Sequence, residues 1–371
     1  MEFIRENILK IITFIVILVI AIIIFTLVFS HKKISNPKTY SDMENYLVQS
    51  AKEYVNDNKK LLPNNEKESN KIKLDTLINE GYMEELTAIE DENIKCSGYV
   101  TINYAIGNYL FVPFLQCGKH YETETIANHI IDNEKIVNID DGLYKSGEKY
   151  IFRGENPNNY LKLSENMYRI MEIEGNYLKL ISVEDINDYV YWDDRYNHEQ
   201  DEYIGINDYK KSRLKEYFQE IIDIQSVGSK DEKYFSDLEY SKFSYHDICI
   251  GKRPSSYSNI DDSYECQITD ADQKISLINI SDFAKASIDP NCNSIYERSC
   301  LNYNYLASVN SSFMTITAAS DNTYQIYVID DGIAELENAN DTDDLNIVIY
   351  LNETSLYNSG NGSLNDPYTI R

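Results

Sequence analysis

This sequence has few basic side chains relative to its acidic ones, and it lacks the common catalytic motifs. Its 371 residues include 34 Lys and Arg against 61 Asp and Glu, which gives a formal net charge of −27. Because such a surface repels phosphates, the composition argues against a DNA- or RNA-binding protein. The nucleophile elbow, the phosphate-binding loop, the dinucleotide fingerprint and the H-E-x-x-H zinc motif are all missing. We therefore expect no catalytic residue, no cofactor and no nucleic-acid partner.

The longest apolar run, IITFIVILVIAIIIFTLVFS at residues 11–30, contains no charged side chain. As a helix it would reach about 30 Å, the thickness of the hydrocarbon core of a bilayer. We therefore predict a transmembrane helix over 11–30, in contact with the lipid bilayer. A cleaved signal peptide is the alternative, because Val28 and Ser30 fit the small-residue positions of a cleavage site. The run is longer, however, than the apolar region of about 7–15 residues that is typical of signal peptides.

The six cysteines fall into three pairs that are close in sequence, listed here in order: Cys96 and Cys117, Cys249 and Cys266, Cys292 and Cys300. This spacing favours three sequential disulfides, although six cysteines allow fifteen connectivities. Free structural cysteines and a zinc site are the two alternatives. For zinc there is no C-x-x-C pair and the histidines lack ligand spacing, so we expect no metal. Since disulfides persist in oxidising surroundings, the cysteines place everything after the membrane segment outside the cell. We therefore predict a single-pass cell-membrane protein with an extracellular C-terminal domain.

The patterning of the remaining chain predicts an α+β protein with two folded units. An apolar stripe predicts a helix from Ser41, where Ser41 and Glu44 form a possible capping box. Alternating residues between Cys96 and Cys117 predict a hairpin, and further strands are expected at 160–163, 167–173, 177–182, 313–318, 324–329 and 345–351. A second long helix is expected over 208–224. The predicted organisation is a cytoplasmic tail at 1–10, the transmembrane helix at 11–30, a small helix-plus-hairpin module at 36–137 and a larger mixed domain at 138–371.

Several short motifs follow one another in the larger domain. They are MYRI at 167–170, YLKLI at 177–181, LINISDF at 277–283, FMTIT at 313–317, NIVIYL at 346–351 and GNGSLNDPY at 360–368. Their order resembles that of a group of uncharacterised bacterial membrane-anchored surface proteins with a C-type-lectin-like C-terminal domain. The resemblance implies a lectin-like fold for 138–371 and carries no catalytic residue. Phe313 and Met314 stand where that group has two tryptophans, and Asn346 to Val348 replace an Arg-Pro step.

The N-terminal part is similar in architecture to a type IV pilin-type protein. In both, a membrane helix leads into an amphipathic helix and then a small module. The chain lacks the glycine cleavage site of that class, and Glu6 precedes the apolar run instead of lying in the expected register. This similarity therefore remains an architectural analogy.

One aromatic cluster beside acidic residues is the candidate binding site. Tyr189, Tyr191 and Trp192 directly precede Asp193 and Asp194. Aromatic faces beside carboxylates suit the stacking and hydrogen bonding of a sugar, whereas a tryptophan at the end of a strand also suits the protein core. The acidic runs 193–202 and 340–344 could bind calcium or be solvated loops, but neither has the spacing of an EF-hand.

These observations predict a membrane-anchored extracellular protein with a non-catalytic binding or adhesion role at the bacterial cell surface. Its partners would be the lipid bilayer and a surface glycan or protein ligand. A pilin-like or envelope-assembly subunit is one alternative function. A carbohydrate-active enzyme is another, because paired carboxylates that hydrolyse glycosides can be recognised only by their geometry.

Overall fold

The computed structural model describes residues 37–186, 190–228, 233–310 and 312–371. The predicted cytoplasmic tail and transmembrane helix, at 1–10 and 11–30, lie outside these ranges. Within them, no helix combines the length and apolar character that crossing a bilayer requires. The described chain is a sheet-rich mixture of helices and strands, which confirms the α+β class. Its helices are α1 (Tyr40–Asp57), α2 (Leu74–Asn79), α3 (Ile126–Asn133), α4 (Arg213–Val227), α5 (Asp237–Tyr240) and α6 (Ile280–Ala286).

The first unit is a four-stranded antiparallel sheet with α1 packed against it. Its strands, which pair in sequence order, are β1 (Ser69–Lys73), β2 (Ser97–Ala105), β3 (Asn108–Cys117) and β4 (Tyr121–Glu122). Strands β2 and β3 form the predicted hairpin, and its two-residue turn, Ile106 and Gly107, has positive φ at both positions. Such turns match the twist of the strands that they connect. The disulfide Cys96–Cys117 closes the open end of the hairpin.

Helix α1 begins at Tyr40, two residues earlier than a capping box with Ser41 as the N-cap implies. The Thr39 hydroxyl accepts a hydrogen bond from the Asp42 N–H, and the Asp42 carboxylate accepts one from the Thr39 N–H, both at 3.1 Å. The prediction of Ser41 and Glu44 as the capping pair is therefore wrong. Tyr40 is already helical, and a residue in the extended conformation, here Thr39, must precede the first helical residue to serve as the cap.

The second unit is built on a nine-stranded sheet. The order of its main path is β13-β18-β9-β8-β7-β20-β19, with β6 pairing with β8, and β5 with β6. All pairs in it are antiparallel except β20 with β7. These strands are β5 (Gly142–Ser146), β6 (Lys149–Arg153), β7 (Tyr160–Leu163), β8 (Asn166–Glu174), β9 (Tyr177–Ser182), β13 (Ile275–Ser276), β18 (Val348–Leu351), β19 (Tyr357–Ser359) and β20 (Tyr368–Ile370).

Three smaller sheets complete the second unit. One is a three-stranded meander in which each strand pairs with the next, and the other two are single pairs, β10 with β17 and β11 with β12. The strands are β10 (Val190–Tyr191), β11 (His246–Cys249), β12 (Thr269–Gln273), β14 (Phe313–Ala318), β15 (Gln325–Asp330), β16 (Ile333–Asn338) and β17 (Thr342–Asp343). The other two predicted disulfides, Cys249–Cys266 and Cys292–Cys300, are also confirmed and close short loops here.

Two separate hydrophobic cores divide the chain at a different place from the predicted boundary. The buried residues of the first core end at Cys117, and those of the second begin at Ile126. Helix α3 packs into the second core, whereas the prediction assigned it to the module 36–137. Its apolar side chains, Ile126, Ala127 and Ile130, are fully buried there. The units therefore separate near residue 123 instead of at 137.

Polar contacts join the two units. They include the ion pairs Lys274–Glu66, Lys67–Asp272, Lys71–Glu353 and Arg371–Glu44, and a hydrogen bond between the side chains of Asn103 and Thr354. Most of these contacts surround a cleft at the junction.

Candidate binding cleft

The aromatic and acidic residues predicted as a site do not form one binding surface. Trp192 is fully buried, its indole N–H donates to the backbone oxygen of Thr315 at 3.2 Å, and its ring meets the edge of Tyr209. Trp192 is therefore a core residue, as one of the two interpretations held, and its ring is not a stacking surface for a sugar. Tyr191, however, is 45% exposed, and Tyr189 lies outside the described residues.

Asp193 is also buried and is held by the protein itself. Its carboxylate accepts hydrogen bonds from the backbone N–H and the guanidinium of Arg195, and from the backbone N–H of Ile206. These donors stabilise the negative charge, so Asp193 fixes local chain geometry. Asp194 is at the surface and pairs with Arg213 at 3.0 Å. Within the described ranges, no group of three or more His, Cys, Asp and Glu side chains is placed to hold a metal ion.

A cleft of about 270 Å³ lies instead between the two units. This volume is close to the lower end of the range of small-molecule sites, about 300 Å³, and such sites occur preferentially at domain interfaces. Hydroxyl, amide and charged groups dominate its lining. The lining comes from five separate segments and one further residue: 66–69, 101–105, 241–245, 272–274, 352–354 and Tyr177.

A buried ion pair fixes the floor of the cleft. The Lys274 ammonium lies 2.6 Å from the Glu66 carboxylate, which also accepts a hydrogen bond from the Ile106 N–H at 3.0 Å. Burial alone would raise the pKa of Glu66, but the hydrogen bonds from Lys274 and Ile106 outweigh it and leave that pKa below its ordinary value. Burial dominates for Lys274, whose pKa is lowered. Glu66 belongs to the first unit and Lys274 to the second, so this ion pair joins the two units.

Tyrosines supply the aromatic part of the wall. The Tyr245 ring lies between two ammonium groups, 4.9 Å from Lys274 and 5.1 Å from Lys67, and burial, followed by Glu66, raises its pKa to about 12. Tyr177, at the start of β9, is 40% exposed, and its ring lies 5.5 Å from His246. Tyr177 lines the cleft and is therefore partly available to a ligand.

Thr101, in the middle of β2, has the least satisfied side chain in the cleft. The residue is 1% exposed, and its hydroxyl has no hydrogen-bond partner among the described residues. A buried hydroxyl without a partner costs about 1–3 kcal/mol.

No motif in the sequence marks this cleft. Its lining residues lie on several loops and strands, and the first and last of them, Glu66 and Thr354, are 288 positions apart. Comparison with known proteins adds no further guide, since no protein-family model, curated protein or solved structure matches the chain. The interpretation of the cleft therefore rests on the chemistry of the residues that line it.

Proposed function

We propose that the protein is a membrane-anchored, extracellular, non-catalytic binding protein whose inter-unit cleft binds a hydroxyl-rich ligand such as a surface glycan. The observation that carries this proposal is the cleft itself. It combines partly exposed Tyr177, the unpaired hydroxyl of Thr101 and several amide and carboxylate groups. The hydroxyl and amide groups both donate and accept hydrogen bonds and the carboxylates accept them, so together they match the hydroxyls of a sugar.

Two further observations support the location and the lectin-like character of the proposal. Three disulfides and no free cysteine among the described residues fit an oxidising, extracellular setting. The motifs MYRI and YLKLI, and most of NIVIYL, lie on β8, β9 and β18, which are neighbours in one sheet. The resemblance described above therefore involves residues that form a contiguous part of the fold.

The closing motif GNGSLNDPY has a structural role that fits its glycines. Gly360 and Gly362 have φ of 94° and 75°, a region that side chains rarely adopt. A Cβ at Gly362 would come within 2.4 Å of the Tyr368 ring, and one at Gly360 within 2.0 Å of the Pro367 carbonyl oxygen. The motif thus folds tightly on itself and brings β20 beside β7.

The carboxylates around the cleft favour binding over catalysis. Glu66, Asp272 and Glu353 each pair with a lysine: Lys274, Lys67 and Lys71 respectively. A general acid in glycoside hydrolysis needs a raised pKa. The pKa of Glu66 is lowered instead.

The test compares two tyrosines of similar exposure in the full-length protein. The protein would be purified in a detergent without a sugar headgroup and titrated calorimetrically with maltose, lactose and chitobiose. We expect saturable binding of at least one disaccharide and a loss of affinity of about tenfold or more in Tyr177→Ala, because stacking and a hydrogen bond are both removed. Tyr191→Ala is the matched control, since Tyr191 lies outside the cleft, and its affinity should stay within about twofold of the wild type.

The proposal would be contradicted if none of the disaccharides binds at concentrations up to about 10 mM, because any weaker affinity would be too low to be useful. If only Tyr191→Ala loses affinity for the disaccharide, the binding site would instead be the aromatic cluster that the sequence predicts. Turnover of a bound disaccharide would favour the carbohydrate-active enzyme instead.

A further inference from the structure

Strand β3 forms an open edge of the first sheet over most of its length. Strand β4 pairs only with the last two residues of β3, so residues 108–115 have β2 on one side and no other strand of the described chain on the opposite side. The strand at the other edge of the sheet, β1, carries Lys71 and Lys73. Lysines on an edge strand discourage pairing with another chain, and β3 has none.

The backbone of this edge offers free hydrogen-bonding groups. In an antiparallel pair, every second residue bonds to the neighbouring strand, and the residues between them face away from it. Leu115 faces away from β2, because its N–H donates to the Thr123 hydroxyl and its C=O accepts from the Thr123 N–H. Tyr109 and Phe111 lie at even spacings from Leu115 on the same strand and therefore face the same way. Among the described residues, neither has a backbone hydrogen-bond partner on that side.

The hairpin that carries this edge has no charged side chain. Residues 96–118 contain no Asp, Glu, Lys or Arg, in a chain with 26% charged residues and a net charge of −27. Two copies of such a protein repel each other over most of their surfaces, but at this edge they can approach without placing like charges side by side. The Lys52 ammonium, 5.5 Å from the centre of the Phe111 ring, belongs to α1 on one face of the sheet. The uncharged edge therefore fits a second copy of the chain.

We propose that two copies of the protein pair through β3 as a symmetric antiparallel dimer, with Leu110 of one copy opposite Leu110 of the other. In this register Tyr109 of each copy exchanges two hydrogen bonds with Phe111 of the other, so both free N–H groups of each copy are used. The aromatic side chains of these residues become cross-strand neighbours. Pro113, which lacks an N–H, lies beyond these bonded pairs, where its missing donor is not needed. The interface is isologous, so it closes as a dimer.

Hydrogen–deuterium exchange of the full-length protein, in the same detergent and with residue-level mass spectrometry, tests this pairing. For a dissociation constant of about 10 µM, about a fifth of the chains are monomeric at about 100 µM protein, and most are monomeric at about 1 µM. We expect the amides of Tyr109 and Phe111 to exchange about fourfold more slowly at the higher concentration, because pairing protects them. The amides of β2, which lies between two strands, should be protected equally at both concentrations.

Charge variants at the centre of the interface identify the partner. Leu110 belongs to neither hydrophobic core of the described chain, so we expect Leu110→Lys to fold. It should remove the concentration dependence, because like charges then lie directly opposite each other in the dimer. An equimolar mixture of Leu110→Lys and Leu110→Glu should restore it. Gln116→Lys adds the same charge to β3 where β4 already pairs with the edge, and this matched control should behave like the wild type.

The proposal is overturned if exchange at Tyr109 and Phe111 does not depend on concentration. Rapid exchange at both concentrations would mean that the edge stays free, and slow exchange at both would mean that another segment of the same chain covers it. The proposal is equally overturned if Gln116→Lys removes the dependence as Leu110→Lys does, or if the mixture of folded variants fails to restore it.

Protection of the β2 amides shows whether each variant is folded, and if Leu110→Lys is not, the concentration dependence of the wild type decides. Tyr109, Leu110 and Phe111 do not line the cleft, so dimer formation is independent of the function proposed there. Tyr177→Ala should therefore leave the exchange of these amides unchanged, whatever it does to disaccharide binding.

Discussion

Thr101 is a single buried side chain whose hydroxyl should contribute nothing to the stability of the fold. Its hydroxyl is buried and has no hydrogen-bond partner among the described residues, so in the absence of ligand it stabilises nothing. We predict that Thr101→Val leaves the free energy of unfolding unchanged or raises it by up to about 1 kcal/mol, because an unsatisfied polar atom is replaced by a methyl group of similar size. Urea denaturation of the wild type and the variant measures this difference. A loss of more than about 1 kcal/mol would mean that the hydroxyl has a partner.

Trp192 and Asp193 show why the sequence misidentified the site at this scale. An aromatic residue beside carboxylates has the same pattern whether it faces solvent or core. Residues distant in sequence determine that Trp192 lies in the core. The backbone oxygen of Thr315, on β14, accepts the indole hydrogen bond, and Tyr209 packs against the ring. Asp193 is satisfied by Arg195, two positions further on, which a sequence pattern does not distinguish from a solvated charge.

The elements with strong periodicity were predictable and the short ones were not. The strands predicted at 160–163 and 177–182 match the structure, because alternation identifies a buried face. The two-residue strands β10 and β17 have no such pattern, and they exist because each pairs with the other. The helix α3 was assigned to the wrong unit because its apolar face does not show which core it joins.

Strand β17 carries a titratable group that should make stability depend on pH. Burial, followed by the charges of Asp344 and Asp330, raises the pKa of Asp343 to about 6, although the Asp344 N–H opposes this. Between about pH 4, the value for an unfolded aspartate, and about pH 6, the folded protein therefore holds a proton that the unfolded chain has released. The free energy of unfolding falls as pH rises through this window.

We predict that Asp343→Asn removes this contribution. The stability of the variant relative to the wild type should be greater at about pH 7 than at about pH 4.5, because only the wild type must bury a charge at the higher pH. Urea denaturation at both values measures the difference. The same change at the exposed neighbour Asp341 is the control and should give no such dependence. Parallel pH profiles for Asp343→Asn and the wild type would contradict the raised pKa.

At the scale of the whole molecule, the cleft arises where two separately packed units meet through charged and polar groups. Five segments between residues 66 and 354 contribute to it, and each segment alone resembles an ordinary polar loop or strand end. The helix and strand patterning was enough to predict the fold class, and the cysteine spacing was enough to predict the three disulfides. The relative placement of the two units, and with it the cleft, depends on long-range contacts such as Lys274 with Glu66, which no local pattern encodes.

The proposed surface-binding function requires both units to lie outside the cell, and cysteine labelling in intact cells tests this location directly. Cys249–Cys266 is the useful bridge, because Cys266 is exposed, whereas Cys96 and Cys117 are buried and should react only after denaturation. Cells would be treated with a membrane-impermeant maleimide before and after an impermeant reductant, and the modified residues mapped by mass spectrometry. We predict labelling of Cys249 and Cys266 only after external reduction. Free thiols that are reached only after lysis would contradict the extracellular location and with it the surface-binding function.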